Sequence, residues 1–393
     1  MIKINEILEL SLFNNFKILC GEEYLTNVVN ATVICEYESS RIEYEGYCYG
    51  YFVLLSYFFA DTNPELVNGT IRTLIEKHVS GIAIKISPEQ SLPEDIIESA
   101  MEYHVPLLIF YEEFMEDLII CINESMKTRA QYIVAESKLN SIINDKHSPE
   151  AIANTALEIN PHFLQYATVA SITSKDTADN LKIHTYFDNL MFRQYRNTDI
   201  HNYSFVKLGH SLMLICTYSD ENLPASASAL KTQIQEILLD AGFVPNAFHI
   251  GISDTILPLN NLNASAIRAR NTNVVCQYAL HDTMFYSELG IYRYVMSIVT
   301  NPILFREVEE SIHALQQYDE GHESNLLDTL TIFVKNNGDY TKTSEELFQH
   351  ANTVRYRIKK AEQILNFPDN SSNEELFMLI RSYLLHNVML RNY

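Results

Sequence analysis

The chain has 393 residues, 28 Lys+Arg against 50 Asp+Glu for a net charge of −22, 47% hydrophobic residues, and only 11 Gly and 11 Pro. At about 100 to 200 residues per domain, a single small module is excluded; the composition also excludes a disordered or collagen-like chain. Any nucleic-acid contact has to come from a local basic surface working against a repulsive whole-molecule field.

Cys20, Cys35, Cys48, Cys121, Cys216 and Cys276 lie far apart, with no C-x-x-C pair. Neither a disulfide framework nor a metal site is expected, and the thiols read as buried in a reducing compartment. The most apolar run, Tyr49 to Ala60, is shorter than the roughly 20 residues of a membrane helix. Met1-Ile-Lys opens an amphipathic stretch rather than a signal segment, so a cytoplasmic protein without membrane contact is expected.

From residue 49 the apolar runs alternate with helical patterns: a strand at 49–56, a helix at 64–78, strands at 81–86 and 106–111, and a helix beginning near Pro93. Near-continuous apolar strands between helices predict an α/β domain with a mainly parallel sheet. Residues 113–144 contain no Pro or Gly and suit one long helix leaving that domain, a type of connector that often pairs with its copy in a dimer.

The middle segment predicts strands at 167–173, 203–218 (two, around Gly209-His210), 247–253 and 283–287, with helices at 179–196, 226–241 and 262–278. That β-α-β-β-α-β-α-β order fits a palm-like antiparallel sheet with helices on one face. From Ile291 onward every signal is helical.

Residues 338–365, GDYTKTSEELFQHANTVRYRIKKAEQIL, are the most informative. Gly338 ends one helix, Thr341 or Thr343 can cap the next, and Leu347 and Phe348 give that helix a buried side. After a turn around 349–351 a second helix starts near Asn352. At about 100° per residue, Val354, Ile358, Ala361 and Leu365 form an apolar stripe about 60° wide. The other side offers Asn352, Thr353, Tyr356, Lys359 and Lys360 with Arg355 and Arg357 on its flanks; residues 350–360 hold four positive charges and no negative one. A short helix, a tight turn and a helix with a basic, hydrogen-bonding front suit the major groove; the alternative is an ordinary solvated Lys/Arg face. His350 reads as a structural cap of the turn, and Glu362 as the partner of a helix neighbour.

Here the residues resemble the PucR-type family of bacterial regulators, which includes sugar-diacid regulators. The resemblance rests on Leu330, Gly338, Thr343, Leu347, His350, Asn352, Thr353, Tyr356, Arg357, Ile358, Glu362 and Leu365, with Ser344 standing where the family usually has Ala. Gly81–Ile86 and the passage from Ala100 to Leu108 resemble the family's N-terminal sensory domain, and the middle resembles its degenerate GGDEF-like domain. What the resemblance implies is a multidomain α/β plus all-α chain. A PucR-like sensory domain occupies 1–125, a helical linker 126–160, a degenerate GGDEF-like palm 161–290 and an all-α region 291–393, with a helix-turn-helix at about 341–365. It implies a ligand-responsive regulator, a double-stranded DNA operator, a small-molecule effector from the purine pathway or elsewhere, and a homo-oligomer, dimer or tetramer. The DNA-facing candidates are Thr343, Asn352, Thr353, Arg355, Tyr356, Arg357, Lys359 and Lys360.

A palm-like fold also raises a nucleotide-cyclase-like enzyme, and a helical terminus raises an adaptor that binds protein instead of DNA. Two-metal chemistry needs acids on the first strand and central hairpin, but the hairpin supplies Gly209, His210 and Ser211, and the first strand only Asp176 near its end. No catalytic motif occurs, so no enzyme and no cofactor are expected. Effector candidates, beyond the carboxyl ends of the parallel strands, are Ser56, Lys85, Tyr111 and Glu112. Lys85 stands out because it interrupts an apolar strand, where its ammonium must face an anion, pair with an internal acid or snorkel to water.

Overall fold

The strand runs of the first unit are apolar at consecutive positions because both of their faces are covered. A computed structural model describes residues 1–35, 48–175, 201–254, 256–367 and 373–392, which fall into two compact units, Met1–Ile133 and Val134–Tyr393.

In the first unit, strands β1 (Lys17–Cys20), β2 (Ala31–Cys35), β3 (Tyr51–Ser56), β4 (Gly81–Lys85) and β5 (Leu107–Phe110) form one sheet in the order β1-β5-β4-β3-β2. β2 to β5 run parallel and β1 is antiparallel at the edge. Successive residues alternate between the sheet faces. Val53, Leu55, Ile82 and Ile84 pack on helices α1 (Pro64–Glu76) and α2 (Glu94–Glu102). Phe52, Leu54, Ala83 and Phe110 pack on Ile4, Ile7, Phe13 and the start of the long helix α3 (Met115–Asn144). α1 starts where Pro64 follows Asn63, whose side-chain oxygen accepts from the Leu66 N–H at 3.3 Å. Cys48 is exposed, unlike the buried thiol expected, because it lies ahead of β3 and outside the sheet.

The second unit follows α3 with helix α4 (Pro149–Ile159) and an antiparallel sheet of β6 (Tyr166–Ser174), β7 (Tyr203–Leu208), β8 (Ser211–Tyr218), β9 (Phe248–Ile252) and β10 (Thr283–Phe285). Its order is β10-β9-β6-β8-β7, with Leu257–Pro258 paired to the start of β6; only the β9–β10 pairing is parallel. Helices α5 (Ala227–Asp240) and α6 (Leu262–Tyr278) complete this part. The helix expected at 179–196 and Asp176 lie outside the described residues.

α6 is fastened to the sheet through the buried Asn273. Its amide donates to the Ser171 and His249 carbonyls, both at 2.8 Å, and its carbonyl accepts from Thr173 Oγ1 and Gln277 Nε2 at 3.0 and 2.7 Å. A fully satisfied buried amide fixes register as well as contributing stability. The close approach requires a glycine opposite: a Cβ on Gly251 would lie 2.1 Å from the Asn273 nitrogen and 2.7 Å from the Ala269 carbonyl oxygen.

From residue 291 the described chain is all helix: α7 (Tyr292–Val299), α8 (Pro302–His322), α9 (Leu326–Lys335), α10 (Tyr340–Glu346), α11 (Ala351–Ile364) and α12 (Asn373–Asn392). Phe305, Ile312, Leu330, Phe333, Val354, Ile358 and Ile380 form its core. The bundle is seated on the sheet part through a cluster of Val274, Val275, Leu289, Val295, Met296 and Leu385.

Gly251→Ala should therefore destabilise the second unit by about 3 kcal/mol, because the obstructing atoms are helix backbone. Denaturant unfolding checks this, and an unchanged midpoint would show that α6 can slide.

Candidate nucleic-acid interface

The helix-turn-helix is built from α10 and α11. After α9, Gly338 takes φ +84° and donates its N–H to the Phe333 carbonyl at 2.9 Å, turning the chain where a side chain would be strained. The cap of α10 is Asp339, correcting the assignment to Thr341 or Thr343: its carboxylate accepts from the N–H groups of Thr341 and Lys342 at 2.9 and 3.1 Å. Thr343 is fully buried and its hydroxyl donates to the Asp339 carbonyl at 2.7 Å. It therefore supports the turn from inside and leaves the set of outward candidates.

Leu347 packs on the bundle core, as expected. Phe348 does not: it is 94% exposed, at φ +52°. The reason is the left-handed residue that ends α10, which reverses the chain before the side chain can turn inward. α11 then begins under His350, whose Nδ1 accepts from the Asn352 N–H at 3.2 Å, the capping role read from the sequence. Accepting there places the ring proton on Nε2.

α11 buries Val354, Ile358 and Ala361. Asn352, Arg355, Tyr356 and Lys359 are exposed and fall within about 100° of the helix circumference. Arg355 donates to Asn352 Oδ1 at 3.2 Å and lies over the Tyr340 ring, 5.4 Å from its centroid. Burial first, then the Glu362 carboxylate, push the Tyr340 phenol above its ordinary range, partly opposed by Arg355.

Three other candidates sit on the half-buried flank. Arg357 donates to Thr329 Oγ1 on α9 at 3.1 Å, and the Lys360 ammonium lies 5.3 Å from the Tyr318 ring centroid on α8. Both thus have partners inside the bundle, while Thr353 is half-buried beside them. The sequence alone places Arg357 among the groove-facing residues because its helical position shows that it is flanking, but not which neighbour covers the flank.

A second concavity lies in the first unit, at the carboxyl ends of β4 and β5. It has a volume of about 730 Å³ and is lined by Asn14, Asn15, Phe16, Lys17, Pro88, Tyr111, Glu112 and Glu113. Tyr111 and Glu112 are thus brought together, whereas Ser56 and Lys85 do not line it. Lys85 is half-buried, and its Nζ donates to the Glu113 carbonyl at 2.7 Å and sits 5.3 Å from the Phe114 ring centroid. Of the lining residues missed from the sequence, Pro88 and Glu113 follow β4 and β5, and the other four come from the segment leading into and starting β1, an edge strand too short and mixed to announce itself. Lys17 from that strand lies 5.2 Å from the Tyr111 ring centroid.

In the central hairpin of the second unit, Gly209 takes φ +59°, its N–H donates to Glu136 at 3.3 Å, and Ser211 Oγ donates to the Leu208 carbonyl at 2.8 Å. Among the described residues no group of three or more His, Cys, Asp or Glu side chains is placed to hold a metal ion.

Two parts of the chain match known families. Residues 6–120 match the purine catabolism regulatory protein-like family, and residues 326–379 match the PucR C-terminal helix-turn-helix domain. The chain is 31% identical over 101 residues to the DNA-binding transcriptional activator AdeR of Bacillus subtilis (strain 168), covering 26% of this chain and 24% of AdeR. It is 28% identical over 154 residues to the proline-responsive transcriptional activator PutR of the same organism, covering 38% of this chain and 37% of PutR. The matches thus span well under half of either relative. The crystal structure of a regulator of polyketide synthase expression from Bifidobacterium adolescentis aligns with 65% of this chain and 98% of its own, at 14% identity and a TM-score of 0.27.

Since Arg357 is tied to α9 and Lys359 is not, Arg357→Ala should lower the melting temperature of the chain, by about 1 kcal/mol of stability, and Lys359→Ala should leave it unchanged. Equal melting of the two variants in calorimetry would remove the structural role of Arg357.

Proposed function

We propose that the chain is a bacterial transcriptional regulator with the PucR-family domain architecture, sensor and helix-turn-helix, a reading supported by the matches over residues 6–120 and 326–379. As a regulator it binds an operator in double-stranded DNA, with α11 in the major groove and Asn352, Arg355, Tyr356 and Lys359 as the contacting residues. The observation that carries this reading is that these four share one exposed face of a helix whose back is sealed and whose start is capped. Asn352 has the geometry to read adenine, Arg355 to read guanine, and Lys359 to hold phosphate. Thr353 and Lys360 lie at the edge of this surface and Arg357 acts behind it.

The assembly is a homo-oligomer, dimer or tetramer, because two copies on half-sites related by symmetry multiply the selectivity of one short helix. The work is that of the cytoplasm, where the operator is; in keeping with it, no helix among the described residues is long and apolar enough to cross a membrane. The divisions are those of the sequence: a sensor over 1–125, a linker over 126–160, a GGDEF-like relay over 161–290 whose central hairpin carries no acid, and an output region over 291–393. The antiparallel sheet with its central hairpin supports the relay reading.

The effector is a small metabolite held at the carboxyl ends of the parallel strands, where open α/β sheets receive ligands, with Tyr111 and Glu112 among its contacts. One relative is named as proline-responsive, which makes small amino acids the first effectors to test beside purines.

Lys359→Ala should weaken DNA binding and reduce the slope of log affinity against log salt by about 1, while Arg355→Ala should weaken it by about 1 to 3 kcal/mol and relax the preference for guanine, both read by fluorescence anisotropy on a duplex that the wild-type chain selects from a random pool. Unaltered affinity and slope in the double variant would remove α11 from the groove. For the effector, a panel of amino acids and purines should contain one compound that raises the melting temperature of the wild type and fails to raise that of Tyr111→Ala; an identical response in both would move the site elsewhere.

A further inference from the structure

Phe348 has no visible function in the fold. α10 ends with the Phe348 N–H donating to the Glu345 carbonyl at 3.2 Å and the Gln349 N–H to the Ser344 carbonyl at 2.9 Å, and the reversal puts Phe348 at φ +52°. Glycine or asparagine takes this conformation with least strain. The other non-glycine left-handed positions of the bundle follow the polar pattern: Glu323, Asn337 and Asn366. Phe348 is the exception, and its ring is 94% exposed, so the fold gains no burial from it. Leu280, at the end of α6, shares the left-handed conformation and the exposure, so it is the place of Phe348 beside the helix-turn-helix, and not its exposure alone, that points to a partner.

Its place in the chain indicates which partner. Phe348 lies two residues before the cap His350 and four before the exposed Asn352. When the second helix of a helix-turn-helix enters the groove and the first crosses the backbone, the turn between them lies at the groove's edge. The surface a duplex offers there includes deoxyribose faces and thymine methyl groups, both apolar. Lys342, Arg355 and Lys359 are exposed around the turn, while the nearby Glu346 carboxylate is engaged by Lys335 and Asn336 at 2.9 and 3.0 Å.

We propose that Phe348 is a direct DNA-contact residue that lays its ring on the apolar sugar or thymine-methyl surface at the edge of the major groove. The proposal rests on the DNA-binding reading above and adds to it a contact without charge.

The test compares Phe348→Gly, Phe348→Asn and Lys359→Ala in the full chain, on a duplex selected from a random pool by the wild type. Glycine and asparagine both suit the left-handed turn, so both variants should melt at or above the wild-type temperature. Both should bind about tenfold more weakly, the order expected for a partly buried phenyl ring, with the salt slope unchanged because no phosphate contact is lost. Lys359→Ala should instead flatten the slope. Wild-type affinity in both Phe348 variants, with Lys359→Ala weakened, overturns the proposal and leaves the DNA-binding reading standing. A joint fall in melting temperature and affinity would make Phe348 a structural residue and overturn it as well. Failure of the wild type to select any duplex would overturn both.

Discussion

The sealing of Val354, Ile358 and Ala361 inside the terminal bundle is the constraint on which the candidate surface depends. A helix packed along one stripe has only its opposite side to offer, and here that side is fixed at Asn352, Arg355, Tyr356 and Lys359. Rotating α11 enough to present other residues would bring apolar side chains into water, at roughly 1.5 to 3 kcal/mol for each one fully uncovered. The surface is thus specified by burial, and its charge and hydrogen-bonding groups only have to occupy the places left over.

Positive charge is scarce in this chain and is divided between two tasks. Arg357 and Lys360 are directed inward to Thr329 and Tyr318, and Lys85 is directed to backbone carbonyls beside an aromatic ring. Arg355 and Lys359 stay outside. With 50 acidic residues elsewhere, long-range attraction to a polyanion is weak, so discrimination at short range has to do more of the work. A surface of this kind favours contacts that do not depend on net charge, such as amides, phenols and rings.

Much of the architecture was legible because burial writes itself into residue order. The runs Phe52–Leu55, Ile82–Ile84 and Leu107–Phe110 are apolar at consecutive positions, as strands covered on both faces require, and the polar Ser56 and Lys85 stand at the carboxyl ends. α11 shows a clean stripe for the opposite reason, one face covered and one free. What escaped depends on geometry between elements. Thr341, Thr343 and Asp339 all can cap a helix, and only the register of the preceding turn selects Asp339. Phe348 reads as core because it is apolar, and nothing in a single sequence marks a left-handed helix end that lacks glycine. Part of the wall of the concavity in the first unit escaped because Asn14 to Lys17 lead into and begin an antiparallel edge strand whose partner, β5, lies some ninety residues later.

The buried amide at Asn273 reaches further than its own hydrogen bonds. Its chain neighbours Val274 and Val275 belong to the cluster that also holds Val295, Met296 and Leu385, so the same helix that is locked to the sheet also forms the floor of the terminal bundle. A bundle standing on that floor takes its position from α6. A substitution that loosened this polar rivet in the adjoining sheet would therefore shift the candidate surface of α11 without altering a single outward-facing side chain.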